Sequence, residues 1–129
     1  GRRNGVLISM ENGTSVAFAL WNLEDRGPLF IQPQQPVYQG LIIGEHAKGT
    51  DLDVNPLKGK KLTNVRASGT DDAVSLTTPV DMTLEKALAY IQDDELVEVT
   101  PEAVRIRKRF LDIHERKRNA KARAAAEAA

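Results

Sequence analysis

The apolar residues of this chain come in short runs, Val6-Leu7-Ile8, Val16 to Trp21, Leu29-Phe30-Ile31 and Leu41-Ile42-Ile43, set apart by glycines and prolines. Runs of this length, bounded by such residues, favour short strands and turns over long helices. They also fall far below the ~20 apolar residues needed to span a bilayer, and no signal-peptide hydrophobic segment opens the chain. With 129 residues and a mass of 14.2 kDa there is material for one domain around one core.

Along the chain, Val6-Leu7-Ile8, the turn signal Glu11-Asn12-Gly13 and the β-compatible segment Ser15 to Leu20 read as a hairpin. Leu20 to Arg26 reads as a single helical turn stopped by Gly27-Pro28, after which Leu29-Phe30-Ile31 resumes an extended path. Gln32 to Pro36 carries two prolines and cannot pair inside a ladder. Val37 to His46 is the clearest strand, with Gly40 and Gly44 where a bulge or bend would curve a sheet toward barrel closure. Ala47 to Ser68 shows no sustained period and reads as a long exposed loop, the kind of segment that usually carries function.

Ala73 to Thr78 is a strand candidate. Thr83 caps an amphipathic helix that places Leu84, Ala87, Leu88 and Ile91 on one face and ends near Asp93. Glu95 to Val99 and Val104 to Phe110 alternate as a hairpin with one apolar and one cationic face. Beyond Leu111 the chain is Ala-rich and charged, with good helix propensity and no apolar face. The expected fold is α+β and mainly β: a small curved or barrel-like sheet, one packed helix, a long basic loop and a helical tail. Residues 1–110 form the module and 111–129 a helical or disordered tail.

Cysteine is absent, which excludes a disulfide framework, a thiolate nucleophile and Cys-rich zinc sites, and fits a reducing, cytoplasmic setting. His46 reads as a surface residue at a strand end and His114 as a solvated position in the tail, and neither stands in a nucleophile or metal motif. Asp93-Asp94-Glu95 lacks the alternating ligands and glycine of a calcium loop. Gly59-Lys60-Lys61 is followed by Leu62 where a P-loop needs Ser or Thr for magnesium. Asn12-Gly13-Thr14 matches a glycosylation sequon but reads better as turn chemistry. No catalytic residue and no metal ligand is assigned. The start at Gly1-Arg2-Arg3, without an initiator Met, suggests a piece of a longer protein.

Eighteen basic and 18 acidic residues cancel to zero, which taken alone argues against a nucleic-acid partner. The cancellation hides blocks. Residues 1–44 are neutral and 45–70 carry +2, whereas 71–102 set nine acids against Lys86 for −8, and 103–129 set nine bases against three acids for +6. Such blocks make local fields that the sum conceals. Four cations of the loop fall between Lys58 and Arg66, interleaved with Gly59, Thr63 and Asn64, a mixture suited to phosphate and 2′-hydroxyl contacts. Arg105, Arg107, Lys108 and Arg109 are secondary candidates for RNA contact. For them the favoured reading is cross-strand pairing with Glu95 and Glu98.

Four stretches together, Asn4-Gly-Val-Leu-Ile-Ser, Leu23-Glu-Asp-Arg-Gly, Leu57-Lys-Gly-Lys-Lys-Leu-Thr-Asn-Val-Arg-Ala-Ser-Gly-Thr-Asp and Asp94-Glu-Leu-Val-Glu-Val-Thr-Pro, resemble the C-terminal region of the TypA/BipA translational GTPases. The resemblance runs from about Arg3 to Arg109. It implies a mostly β module that docks in the ribosomal A-site region, its loop reaching the acceptor end of a tRNA, in a protein that regulates translation or ribosome assembly under stress. By position, Lys58, Lys60, Lys61, Asn64 and Arg66 become the RNA-contacting residues, with Lys58 at a position not always basic in that family. The implied partners are the ribosome, rRNA, tRNA and the other domains of the parent protein, with no membrane. GTP and magnesium belong to a GTPase domain whose motifs this chain lacks, so no cofactor and no enzyme activity is expected of the chain itself. The alternative function is a protein-interaction or interdomain docking module using the acidic segment 71–102.

Overall fold

A computed structural model describes residues 1–58 and 74–128. Its central strand is β1 (Val6–Ser9), which pairs antiparallel with β4 (Ile42–Glu45) and parallel with β5 (Leu52–Val54). All four residues of β1 are buried, because both faces of this three-stranded sheet are covered. That explains why Val6-Leu7-Ile8 is uniformly apolar: Leu7 enters one core cluster with Leu20, Leu29, Val37 and Ile43, while Val6 and Ile8 enter another with Ile42, Ala87 and Ile106. Helix α1 (Ala17–Leu23) supplies Leu20 to the first cluster. Helix α2 (Leu84–Tyr90) and the hairpin of β6 (Glu95–Val99) and β7 (Val104–Lys108) supply Ala87 and Ile106 to the second.

Two further strands, β2 (Gly13–Thr14) and β3 (Pro36–Val37), form a separate two-stranded pairing. Helix α3 (Ile113–Ala128) closes the chain with no buried residue. The described strands make three small sheets and no closed barrel, within a mixed α+β fold.

Gly44 lies at the bulge expected of it: Leu7 faces Gly44 and Ile8 faces Ile42, so Ile43 is the extra residue. Gly40, at φ 93, separates β3 from β4 and splits the single strand expected over Val37 to His46. Several local expectations change. Ser15 to Leu20 does not pair with β1, because Ala17, Ala19 and Leu20 are buried on a helix and the run Ala-Phe-Ala-Leu has helical propensity. The segment expected to be a loop contains β5, whose parallel partner lies more than forty residues earlier in the chain.

Residues 74–78 form no strand and are tied instead by the Thr77 N–H donating to the Glu24 carboxylate at 2.7 Å. Thr83 does cap α2, its hydroxyl accepting from the Lys86 N–H at 3.2 Å, but the helix ends at Tyr90 and buries Ala87 while Leu84 and Leu88 stay exposed. His46 is buried, not on the surface, with its Nδ1 against the Thr50 carbonyl, whereas His114 is exposed.

Candidate nucleic-acid interface and the ion network beside it

The alternation of β7 decides the fate of its cations. Val104, Ile106 and Lys108 share a phase and point to the core side, while Arg105 and Arg107 occupy the other face. Glu95 is in phase with Val97 and Val99 and stands directly opposite Lys108. A Lys and a Glu are thereby carried into the interior together. The Lys108 ammonium reaches Glu95 Oε2 at 2.8 Å, Asp94 Oδ2 at 2.9 Å and Asp51 Oδ2 at 2.6 Å.

Arg2 arrives from the N-terminal segment and grips both Glu95 oxygens with its guanidinium, which also lies over the Tyr90 ring at 4.8 Å. The other Asp51 oxygen accepts from the Val6 N–H at 3.0 Å, so the cluster joins the central strand β1 to the hairpin. Two cations and three carboxylates leave it one negative charge.

Burial alone would raise the Glu95 carboxyl, but the hydrogen bonds from Arg2 and Lys108 outweigh it and hold that group below the usual carboxylate range. Burial would likewise lower the Lys108 ammonium, and Asp51 and Glu95 more than reverse this. Tyr90 is pushed up by burial and by its hydrogen bond to Glu45. The three carboxylates converge closely enough to ligate a cation, and the Lys108 ammonium bonds to all three.

On the outer face, Arg105 and Arg107 approach Glu98 at 3.8 and 3.5 Å, and Glu98 also accepts from the Tyr38 hydroxyl. Cross-strand pairing therefore engages Arg105, Arg107 and Lys108, and the burial of Lys108 puts it out of reach of a phosphate. Arg109 remains exposed. The same pairs use up Asp94, Glu95 and Glu98 of the acidic block. Arg116, in the first turns of α3, pairs with Asp53 of β5 and ties the tail to the domain.

Of the candidate loop residues, Lys58 is exposed just past β5, with its backbone N–H donating to Asn55 Oδ1 at 3.1 Å. Lys60, Lys61, Asn64 and Arg66 lie outside the described residues. The interior placement of Lys108 was legible in principle from its even-numbered register with Val104 and Ile106. The contribution of Arg2 had no local signal, because its partners lie far along the chain.

Residues 4–113 match the family model described as the TypA/BipA C-terminal domain. The chain is 61% identical over 117 residues to the large ribosomal subunit assembly factor BipA of Escherichia coli strain K12, covering 91% of this chain. It is 59% identical over 117 residues to the protein of the same name from Buchnera aphidicola subsp. Schizaphis graminum, again over 91% of this chain. In both cases it spans only 19% of the relative's length.

Proposed function

The chain belongs to the TypA/BipA C-terminal domain family, and from that premise we propose that it is the ribosome-binding module of a translational GTPase acting in the cytoplasm. Its basic segment, about residues 47–68 and including β5, contacts rRNA or the tRNA acceptor end in the ribosomal A-site region. The observation that carries this reading is the family match over nearly the whole domain, together with relatives named as large ribosomal subunit assembly factors. The ion network supports it from a second side. Arg2, Arg105, Arg107, Lys108 and Arg116 are engaged by carboxylates within the domain, which removes most of the β7 cations from the candidates, and the reading assigns the RNA contact to Lys58, Lys60, Lys61, Asn64 and Arg66. GTP and magnesium are held by the remainder of the longer protein, and this chain acts by binding, without catalysis of its own.

Replacing Lys60, Lys61 and Arg66 by Ala tests the reading. Ribosome association should weaken, and its dependence on salt should become shallower because fewer phosphates are neutralised. Unchanged association of that variant across a salt titration would remove the loop from the interface. Exposed Leu84 and Leu88 on α2, flanked by Asp81 and Glu85, favour a second reading in which this face docks a basic protein surface. Binding that survives ribonuclease and fails on Leu88→Asp would support that reading.

A further inference from the structure

Helix α1 presents an aromatic pair at the surface: the Phe18 and Trp21 rings lie 5.8 Å apart at 50°, and Trp21 is 42% exposed. One position further along the helix, Asn22 borders a cleft of about 450 Å³ whose other polar walls are Asp25, Arg26, Asn55 and Lys58.

The backbone at both cationic positions is held by the fold. The Arg26 carbonyl accepts from the Ala47 N–H at 2.7 Å. The next residue, Gly27, sits at φ 149 with the Glu45 carbonyl oxygen in the space a Cβ would occupy, so the backbone at Arg26 is clamped against β4. Across the cleft, Asn55 Oδ1 accepts from the N–H groups of Leu57 and Lys58 at 2.9 and 3.1 Å. This turn delivers Lys58 to the rim, and among the described residues the Asn55 amide N–H₂ has no acceptor. Arg26 and Lys58 set two positive charges against Asp25, and all three are exposed.

Two exposed cations for phosphates, amide side chains for base or ribose edges and an exposed indole on Trp21, next to Asn22 in the chain, are the elements that unpaired RNA needs. We propose that the α1 face, Trp21 with Arg26 and Lys58, is a second RNA contact that takes a single-stranded nucleotide, with its base on the indole and its phosphate in the cleft. The inference rests on the RNA-binding reading above and extends it from the loop to the folded body. Net positive charge in the cleft favours RNA over a protein partner as the occupant.

Trp21 is the only tryptophan of the chain, so its emission reports on this face alone. A titration of the whole chain with oligouridine should quench that emission. Trp21→Ala should weaken oligouridine binding about tenfold while Trp21→Phe, which keeps an aromatic face, retains most of it. Arg26→Gln with Lys58→Gln should flatten the salt dependence by about 0.7 in log–log slope for each phosphate no longer neutralised. Quenching that persists in the Lys60, Lys61, Arg66 triple variant supports an independent site.

If the triple variant loses ribosome binding while oligouridine leaves Trp21 emission unmoved and Trp21→Ala is neutral, the α1 site is overturned and the loop reading stands. Emission that responds to ribosomal proteins stripped of RNA, but not to oligouridine, overturns it in favour of a protein contact. Native circular dichroism of each variant separates loss of binding from loss of fold.

Discussion

Lys108→Met keeps the aliphatic stem and removes the ammonium from a site where the Lys side chain is 3% exposed and that of Glu95 fully buried. Glu95 then faces Asp94 and Asp51 with Arg2 alone to compensate. Breaking a buried ion pair by removing one partner costs about 3–5 kcal/mol, because the remaining charge stays desolvated. Against a total stability of about 5–15 kcal/mol for a domain, that is a large share. With an unfolding entropy of about 2.1 cal/mol/K per residue, the same loss lowers the melting temperature by about 10–20 °C.

Thermal and urea unfolding followed by circular dichroism would measure it. The double variant Glu95→Gln, Lys108→Met should be less destabilised than the sum of the two single changes by at least about 1 kcal/mol. A Lys108→Met protein within about 0.5 kcal/mol of the parent at neutral pH, or strictly additive effects, would refute the reasoning.

The network also sets a pH window. Glu95 has a folded pKa below its ordinary value of 4.5, so its stabilisation is complete above that value and is lost as pH falls through the depressed folded pKa. Lys108 has a folded pKa above its ordinary 10.5, so its share is complete below 10.5 and is lost as pH rises through the raised folded pKa. The stability gap between the parent and Lys108→Met should therefore be flat between those limits and shrink outside them. A gap that varies steeply around pH 7 would point to a different titrating group.

Other perturbations follow from local geometry. Gly27→Ala combines a positive φ with a collision against the Glu45 carbonyl, and should destabilise by about 1–3 kcal/mol in urea unfolding. Thr83→Ala removes the cap that receives the Lys86 N–H and should cost about 1 kcal/mol by the same assay. Truncating α3 after Arg116 removes no buried residue and keeps the pair with Asp53, so the urea midpoint should move by no more than about 0.5 kcal/mol in stability.

How much of this was legible in the sequence depends on whether a feature is set by its neighbours or by distant partners. The β6–β7 hairpin, the Thr83 cap, the stop at Gly27 and the bulge at Gly44 follow from residues within a few positions of one another, and all are present. Ser15 to Leu20 reads as a strand by local apolar content, and burial of Ala17, Ala19 and Leu20, with Leu20 in the core cluster that holds Leu7, goes with a helix instead. Strand β5 spans only three residues and owes its existence to a parallel partnership with β1, which nothing around Leu52 announces. The resemblance pointed to the family through its irregular strings, while placement of the α1 cleft required the fold to bring Arg26 and Lys58 together.

Charge is where the two levels meet most usefully. A count by segment assigns +6 to residues 103–129 and −8 to 71–102, and suggests two opposed surfaces. Folding pairs part of each block with the other: Lys108 with Asp94 and Glu95 on the core side, and Arg105 and Arg107 with Glu98 on the outer face. The Lys108 cluster, with Arg2 and Asp51, holds the hairpin on the core, and these buried or half-buried pairs are screened little by salt. The exposed cations at Arg26 and Lys58 lie in solvent, where their attraction for a phosphate falls with added salt. Stability and RNA affinity of one domain should thus separate in a single salt titration: unfolding nearly insensitive, association steeply sensitive. Parallel salt dependence of the two would mean that the same charges serve both, and the division between the β7 network and the loop with its α1 cleft would fail.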